Sequence, residues 1–129
     1  MDVLFNKKIL VVDDEVELLE IIEHVLKLEG FTQIKTVNTG VKALEHFHSW
    51  QPDLVILDVM LPDIQGHDLC KIIREDSQIP IVFVSAKTEE VDRIVGFAIG
   101  ADDYVTKPFS PKELAYRVKA HLKRSESVV

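Results

Sequence analysis

The sequence predicts an α/β fold in which a five-stranded parallel sheet carries helices on both faces. Short apolar runs rich in β-branched residues alternate with segments of helical periodicity, and the order strand then helix repeats five times. The strongest strands are apolar at every position rather than at alternate ones, which is typical of a parallel sheet covered on both sides. The length of 129 residues suits one domain. We expect an ordered core over about 7–124 and a linker or tail over 125–129.

The pattern of apolar residues and chain breakers locates ten elements. The predicted strands are Ile9–Val12, Ile34–Val37, Leu54–Leu57, Pro80–Val84 and Asp103–Val105. The predicted helices are Val16–Leu26, Thr39–Trp50, Gly66–Glu75, Glu89–Ile99 and a last helix that begins at Pro111.

Breaker and capping residues mark several helix ends. Gly30 follows the first helix as a C-terminal glycine, and Pro52 stops the second. The last helix has the clearest start, because Ser110 stands at the N-cap with Pro111 at the first helical position and Glu113 at the third.

The charge balance and the cysteine content exclude several classes of protein. Fifteen basic against 22 acidic residues give a net charge of −7, so the domain itself lacks the basic surface that grips nucleic acid. The chain has no apolar run long enough to cross a membrane, and its start, MDVLFNKK, has no secretory pattern. The single cysteine, Cys70, excludes an internal disulfide. We therefore expect a cytoplasmic protein without membrane contact.

Charged and polar side chains stand where the predicted strands end. Asp13 and Asp14 follow the first strand, Asp58 the third, Ser85 the fourth and Lys107 the fifth. Because parallel strands end at one edge of the sheet, these side chains are expected to meet there.

The expected cluster has the composition of a phosphoryl-transfer site. Carboxylate oxygens without imidazole or thiolate favour Mg²⁺ over zinc. Three aspartates, one Mg²⁺ and one lysine sum to zero charge, which suits a carboxylate nucleophile attacking a phosphoryl group. Each residue also has a plain alternative: Asp14 could cap the first helix with Glu17 at the third position, and Asp58 could belong to a turn.

Four segments carry a resemblance to a known family. They are KILVVDDE (8–15), DLVILDVMLPDIQG (53–66), PIVFVSAK (80–87) and GADDYVTKPFSPKEL (100–114). Over nearly its whole length the chain resembles the receiver (response regulator) domain of two-component signal transduction. The resemblance implies a (βα)5 flavodoxin-like, doubly wound fold.

The resemblance also implies a role for each residue of the site. Asp58 looks like the phosphoacceptor for a phosphoryl group from a sensor histidine kinase. Asp13 and Asp14 look like the acidic pair that binds Mg²⁺, together with Asp58 and the backbone carbonyl of Met60. Lys107 resembles the lysine that contacts the phosphoryl oxygens.

The same resemblance implies a conformational switch. Ser85 resembles the hydroxyl that moves to the phosphoryl group, and Tyr104 resembles the aromatic residue that then turns inward. The bond between Lys107 and Pro108 is expected to be cis.

The segment GADDYVTKPFSPKEL looks most like the OmpR/PhoB subfamily, whose receivers pair through the fourth helix, fifth strand and fifth helix. A homodimer on phosphorylation would then use Arg93 with Glu113 and Asp103 with Arg124. Ala98 stands where the subfamily often has an acid, so one intersubunit pair is expected to be absent. DNA would be bound only through an effector domain that is absent from this chain.

Other functions remain open at this point. The chain could be a stand-alone receiver that signals by docking, or a pseudo-receiver that is never phosphorylated. A phosphatase of the haloacid dehalogenase type would need an aspartate where Met60 stands, so enzymatic turnover is not expected. A flavodoxin-like flavin protein is disfavoured because two aspartates follow the first strand and would repel a flavin phosphate.

Overall fold

The computed structural model describes residues 3–86 and 90–127. The strands are β1 (Lys8–Val12), β2 (Gln33–Val37), β3 (Leu54–Asp58), β4 (Ile81–Ser85) and β5 (Asp103–Thr106). The helices are α1 (Val16–Leu28), α2 (Gly40–Trp50), α3 (Gly66–Asp76), α4 (Glu90–Ala98) and α5 (Pro111–Ser127), preceded by a 3₁₀ turn at Val3–Asn6. The predicted α/β fold is confirmed.

The five strands form one parallel sheet in the order β2-β1-β3-β4-β5. The chain order reverses at β1, which pairs with β2 on one side and with β3 on the other. In doubly wound sheets the crevice beyond the carboxyl ends of the strands at such a reversal is the usual ligand site. Here that crevice lies between the ends of β1 and β3.

The side chains of β1 and β3 pack alternately into two hydrophobic cores, one on each face of the sheet. Ile9 and Val11 pack into the core beneath α1 and α5, whereas Leu10 and Val12 pack into the core beneath α2 and α3. All four are buried, and the same alternation holds along β3. Because both faces are covered, both sets of side chains must be apolar, which explains the continuous apolar runs.

The ends of α1 and α2 follow the sequence signals with one difference. Gly30 follows α1 with φ +115°, which is the left-handed conformation that a C-terminal glycine provides. Thr39 caps α2 by accepting a hydrogen bond from the Lys42 N–H. At the other end of α2 it is Gln51, a residue with a side chain, that takes the left-handed conformation (φ 53°) just before Pro52.

The helix boundaries agree with the sequence prediction to within one or two residues, except at the C-terminal end of the last helix. Helix α5 continues through residues 125–127, where a tail was expected, while residues 128 and 129 lie outside the described part of the chain. The predicted start of the fourth helix, Glu89, also lies outside it, and α4 is described from Glu90. Among the helices of residues 3–86 and 90–127, none combines the length and the apolar character that a membrane span needs.

Candidate functional site

Three aspartates converge at the carboxyl ends of β1 and β3. Asp13 follows β1 directly, and Asp58 is the last residue of β3, so the pairing of these adjacent strands brings the two side chains together. Asp13 and Asp58 are 2% and 4% exposed, whereas Asp14 is exposed at the rim. One carboxylate oxygen from each of the three lies within 4.8 Å of the other two.

Lys107 reaches across the sheet to these carboxylates from the loop after β5. Its Nζ lies 3.1 Å from Oδ2 of Asp13 and 3.4 Å from Oδ2 of Asp58. The Lys107 N–H donates to the carbonyl of Ser85 at 2.7 Å, and the bond to Pro108 is cis, as the resemblance implies. The lysine is therefore fixed through its backbone and contacts both buried acids.

The acids and the lysine shift one another's protonation. Burial raises the pKa of Asp58 to about 6, and the neighbouring Asp13 charge adds to the rise, against the Met60 N–H and Lys107, which lower it. Burial also raises the pKa of Asp13. Burial alone would lower the pKa of Lys107, but its hydrogen bond to Asp13 and the nearby acids raise it overall. The two buried acids therefore carry more negative charge than one lysine balances.

This donor set fits a hard divalent cation. The three aspartates supply oxygen ligands only, and their oxygens are close enough to share one ion. Burial raises the pKa of both acids, and a cation bound there would favour their ionised forms by supplying the opposite charge. The acidic cluster is thus of the kind at which receiver domains bind Mg²⁺.

The loop after β3 is built closely around Asp58. The Met60 N–H donates to Oδ1 of Asp58 at 3.0 Å, and the Gly66 N–H donates to the Val59 carbonyl at 2.8 Å. A Cβ on Gly66 would lie 2.4 Å from the Asp58 carbonyl oxygen, so α3 can start this close to the site only with glycine there. From the sequence, Gly66 is predicted only as the first residue of a helix, because the close approach of the Asp58 backbone is a tertiary feature.

The two residues expected to form the switch lie in the neighbouring strands. Ser85 ends β4 and is fully buried. Tyr104 lies in β5 and is also buried, with its ring centroid 6.1 Å from that of Phe83 and its ring edge close to Gly96. The tyrosine is therefore in an inward position in this structure.

The start of α1 contradicts the plain alternative for Asp14. The N-cap of α1 is Glu15, not Asp14, and its side chain makes no capping bond. Instead, the Glu15 N–H donates to Oδ1 of Asp13 at 2.9 Å. The Glu15 carboxylate also lies 3.7 Å from Lys107. This contact was not predicted, because an exposed acid beside two site acids has no distinguishing pattern in the sequence.

The four residues expected at a dimer surface are distributed over α4, β5 and α5, and Arg117 lies beside both acids among them. Asp103 bonds Arg117 and His121, and Glu113 lies 3.6 Å from Arg117. Arg93 and Arg124 are exposed. Arg117 and His121 were not predicted as partners of these acids, although both follow Glu113 at four-residue intervals along α5.

Known proteins place the chain in a family. A model described as the response regulator receiver domain matches residues 9–119. The chain is 49% identical over 121 residues to the DNA-binding response regulator MtrA of Mycolicibacterium smegmatis, covering 94% of this chain and 53% of that protein. It is 48% identical over 122 residues to the alkaline phosphatase synthesis transcriptional regulatory protein PhoP of Bacillus subtilis, covering 94% and 50%. The chain thus spans about half the length of these curated relatives.

A solved structure agrees with these matches. The crystal structure of DrrB, a Thermotoga maritima OmpR/PhoB homologue, superposes with a TM-score of 0.84 at 37% identity, covering 93% of this chain and 54% of that one. Together with the fold and the acidic cluster beside Lys107, these matches show that the chain belongs to the response regulator receiver domain family and is a receiver of the OmpR/PhoB type.

Proposed function

We propose that Asp58 accepts a phosphoryl group from the phosphohistidine of a sensor histidine kinase in a Mg²⁺-dependent reaction. One observation carries this proposal: the Lys107 ammonium lies 3.1 Å from Asp13 and 3.4 Å from Asp58, at the carboxyl ends of the strands. The short distances support the proposal, in which the Asp58 carboxylate is the nucleophile and the Lys107 ammonium stabilises the charge that develops on the phosphoryl oxygens. Receiver domains are signalling domains and not classical enzymes.

Asp13, Asp14, Asp58 and the backbone carbonyl of Met60 are the groups that would hold Mg²⁺. When bound, the ion supplies positive charge against the phosphoryl oxygens. With the three aspartates and Lys107 it would bring the formal charge of the site to zero, which favours the ionised form of Asp58 against the burial and the Asp13 charge that raise its pKa.

The residues of the chain account for the transfer itself. An oxygen of the ionised Asp58 carboxylate forms a bond to phosphorus as the phosphorus–nitrogen bond of the phosphohistidine breaks. Lys107, which Asp13 holds by its hydrogen bond, is placed to donate to a phosphoryl oxygen as negative charge develops there. The acyl phosphate carries more negative charge than the carboxylate that it replaces.

The added charge would be read out through Ser85 and Tyr104. The Ser85 hydroxyl donates to a phosphoryl oxygen in this proposal, which favours the inward position of Tyr104 and the matching arrangement of the α4–β5–α5 surface. That surface would then form a homodimer, with Arg93, Asp103, Glu113 and Arg124 as its charged residues. DNA would be reached through a separate effector domain, as in the DNA-binding relatives of twice this length.

Intact mass after incubation with acetyl phosphate tests the proposal. We expect one added phosphoryl group in the presence of Mg²⁺ and none without it. Asp58→Asn should prevent the addition, whereas Asp76→Asn, at an exposed position at the end of α3, should not. Addition that persists in Asp58→Asn would refute Asp58 as the acceptor.

The same experiment separates the alternatives. If no phosphoryl group is added and beryllofluoride also fails to bind, the domain is a pseudo-receiver that acts without phosphorylation. Steady hydrolysis of a generic phosphate ester, abolished by Asp58→Asn, would instead indicate a phosphatase. A monomeric phosphorylated domain would favour a receiver that signals by docking on another protein.

A further inference from the structure

The Asp63 side chain attaches the loop between β3 and α3, residues 59–65, to the start of α2. Oδ1 of Asp63 accepts from the Gly40 N–H at 2.8 Å, and Oδ2 accepts from the Val41 N–H at 3.0 Å. Oδ1 also accepts from the N–H of the next residue, Ile64, at 2.9 Å. One carboxylate therefore joins the loop to the first turn of a helix that is distant in the chain.

These bonds suit an ionised carboxylate. The first N–H groups of a helix have no acceptor within it and form the positive end of the helix dipole. In α2 the Lys42 N–H is bound by Thr39, whereas the N–H groups of the first two helical residues are bound by Asp63. The bonds from Gly40 and Val41 hold the pKa of Asp63 below its ordinary value, so the group is ionised at neutral pH.

The loop and α2 also approach each other closely at Gly40. A Cβ on Gly40 would lie 2.9 Å from the Cβ of Ile64 and 3.3 Å from Oδ1 of Asp63. Ile64 is partly buried and packs against the core beneath α2 and α3. The middle of the loop is therefore held on the helix by packing as well as by hydrogen bonds.

The same loop carries groups of the proposed phosphoryl-transfer site. The Met60 N–H donates to Oδ1 of Asp58 at 3.0 Å, and the Met60 carbonyl is a proposed Mg²⁺ ligand. The Met60 side chain is more than half exposed, so its burial contributes little to holding the backbone there. Asp63, three residues later, supplies an attachment between Met60 and the start of α3.

We propose that Asp63 is a positioning residue for phosphoryl transfer, because its attachment of the loop to α2 holds the Met60 backbone where Asp58 and Mg²⁺ require it. The inference rests on the proposed function and on the Mg²⁺ ligands named there. Asp63 acts through the loop, since its oxygens are engaged by three N–H groups. Loss of Asp63 should therefore weaken Mg²⁺ binding and leave the transfer step almost unchanged at saturating Mg²⁺.

Isothermal titration calorimetry of the full chain with Mg²⁺ tests this role. Asp63→Ala should raise the Mg²⁺ dissociation constant about three- to tenfold, less than removal of a direct partner of a metal ligand costs. Thr39→Ala is the matched control, because it removes a hydrogen bond from the same helix start and keeps the attachment of the loop. In this control the constant should stay within about twofold of the parent value.

Asp63→Asn separates positioning from charge. Asparagine keeps a side-chain oxygen that accepts from the first N–H groups of a helix, but it carries no charge. We expect its Mg²⁺ dissociation constant to lie closer to that of the parent chain than to that of Asp63→Ala. An increase as large as in Asp63→Ala would mean that the charge acts on the ion through space, which would overturn the positioning role.

The rate of phosphorylation by acetyl phosphate gives a second readout. In Asp63→Ala the Mg²⁺ concentration for half-maximal rate should rise by the same factor as the dissociation constant, while the maximal rate should stay within about twofold of the parent rate. Loss of folded protein would instead lower the maximal rate and leave the half-maximal concentration unchanged. That second pattern would show that Asp63 has only a structural role.

A further variant keeps the test decisive if Asp63→Ala does not fold. Gly40→Ala favours the helix intrinsically but places a Cβ against Ile64, so it should raise the Mg²⁺ dissociation constant in the same direction. An unchanged constant in folded Asp63→Ala, or in Gly40→Ala where Asp63→Ala does not fold, would overturn the inference.

The outcome is distinguishable from failure of the proposed function, because Mg²⁺ binding is measured without a phosphodonor. A parent chain that binds Mg²⁺ but takes up no phosphoryl group refutes the proposed function, and the comparison of Asp63→Ala with Thr39→Ala still tests the attachment of the loop. A parent chain that is phosphorylated, with equal Mg²⁺ dissociation constants in these two variants, refutes only this inference.

Discussion

Asp58 is the last residue of the inner strand β3, and Asp103 is the first residue of the edge strand β5. Their surroundings shift the pKa values of the two carboxyl groups in opposite directions. Asp58 is 4% exposed and has its pKa raised to about 6. The Asp103 side chain is 15% exposed and has its pKa lowered to about 2. Burial disfavours the charged form of both, so the difference must come from their neighbours.

The neighbours differ in the number of cationic donors per acid. Lys107 is shared between Asp58, Asp13 and Glu15, which leaves excess negative charge at the carboxyl ends of β1 and β3. Asp103 bonds two donors, Arg117 and His121, and only Arg117 also contacts a second acid, Glu113, at 3.6 Å. The excess negative charge around Asp58 favours binding of a cation. The Asp103 carboxylate, in contrast, is paired with cationic and hydrogen-bonding donors and links β5 to α5.

The largest expected effect is the loss of stability when the contacts of Asp103 with Arg117 and His121 are removed. Asp103→Asn removes the charge that bonds Arg117 and His121, so the free energy of unfolding should fall by about 2–3 kcal/mol. Urea unfolding at pH 7.5 measures this, with the exposed Asp76→Asn as a control that should change by less than about 0.5 kcal/mol. An equal effect of both changes would show that Asp103 is not a structural anchor.

A change in stability of the opposite sign is expected at Asp58, the proposed phosphoacceptor. Asp58→Asn removes a buried charge held beside Asp13, so in the absence of Mg²⁺ the free energy of unfolding should rise by about 1–2 kcal/mol at pH 7.5. The same urea titration measures it. Destabilisation by this change would mean that Lys107 already balances the site.

The dependence of stability on pH should separate the two acids. The Asp58 pKa is raised in the folded state, so the folded protein binds the proton more tightly and stability falls, by about 1–2 kcal/mol, as pH rises from about 4 through 6. The Asp103 pKa is lowered, so its contribution is present above pH 4 and is lost as pH falls toward 2.

Unfolding titrations at a series of pH values check these two slopes. Asp58→Asn should flatten the decline between pH 4 and 7, and Asp103→Asn should flatten the loss below pH 4. A single slope shared by both variants would contradict the separation of the two sites.

The smallest expected effect is stabilisation by Mg²⁺. At a free concentration of ten times its dissociation constant, the ion should raise the free energy of unfolding by about 1.4 kcal/mol, because only the folded chain assembles the ligands. Asp13→Asn should abolish most of this gain, and Asp103→Asn should retain it. Thermal unfolding with and without Mg²⁺ is the measurement, and an equal gain in Asp13→Asn would place the ion elsewhere.

Much of the fold and of the acidic site could be predicted from local sequence. Continuous apolar runs predicted the buried parallel strands, and the capping residue Ser110 predicted a helix start that the structure shows, with a hydrogen bond from the Glu113 N–H. Thr39 was predicted as the first residue of the second helix, whereas the structure places it at the N-cap, where it accepts from the Lys42 N–H. The acids after β1 and β3 and Lys107 after β5 could be placed at one edge because parallel strands share their direction. The turn at Gln51 was not foreseen, because its left-handed backbone usually calls for glycine or asparagine.

The sequence by itself determined which elements form and which residues stand at their ends, since hydrophobic periodicity and helix caps act over a few residues. Only the tertiary structure decided how charges are shared, because that depends on distances between side chains far apart in the chain. In the folded chain one lysine, Lys107, contacts both Asp13 and Asp58, whereas Asp103 contacts Arg117 and His121. Burial and Coulomb energy depend on these distances, and no local pattern encodes them.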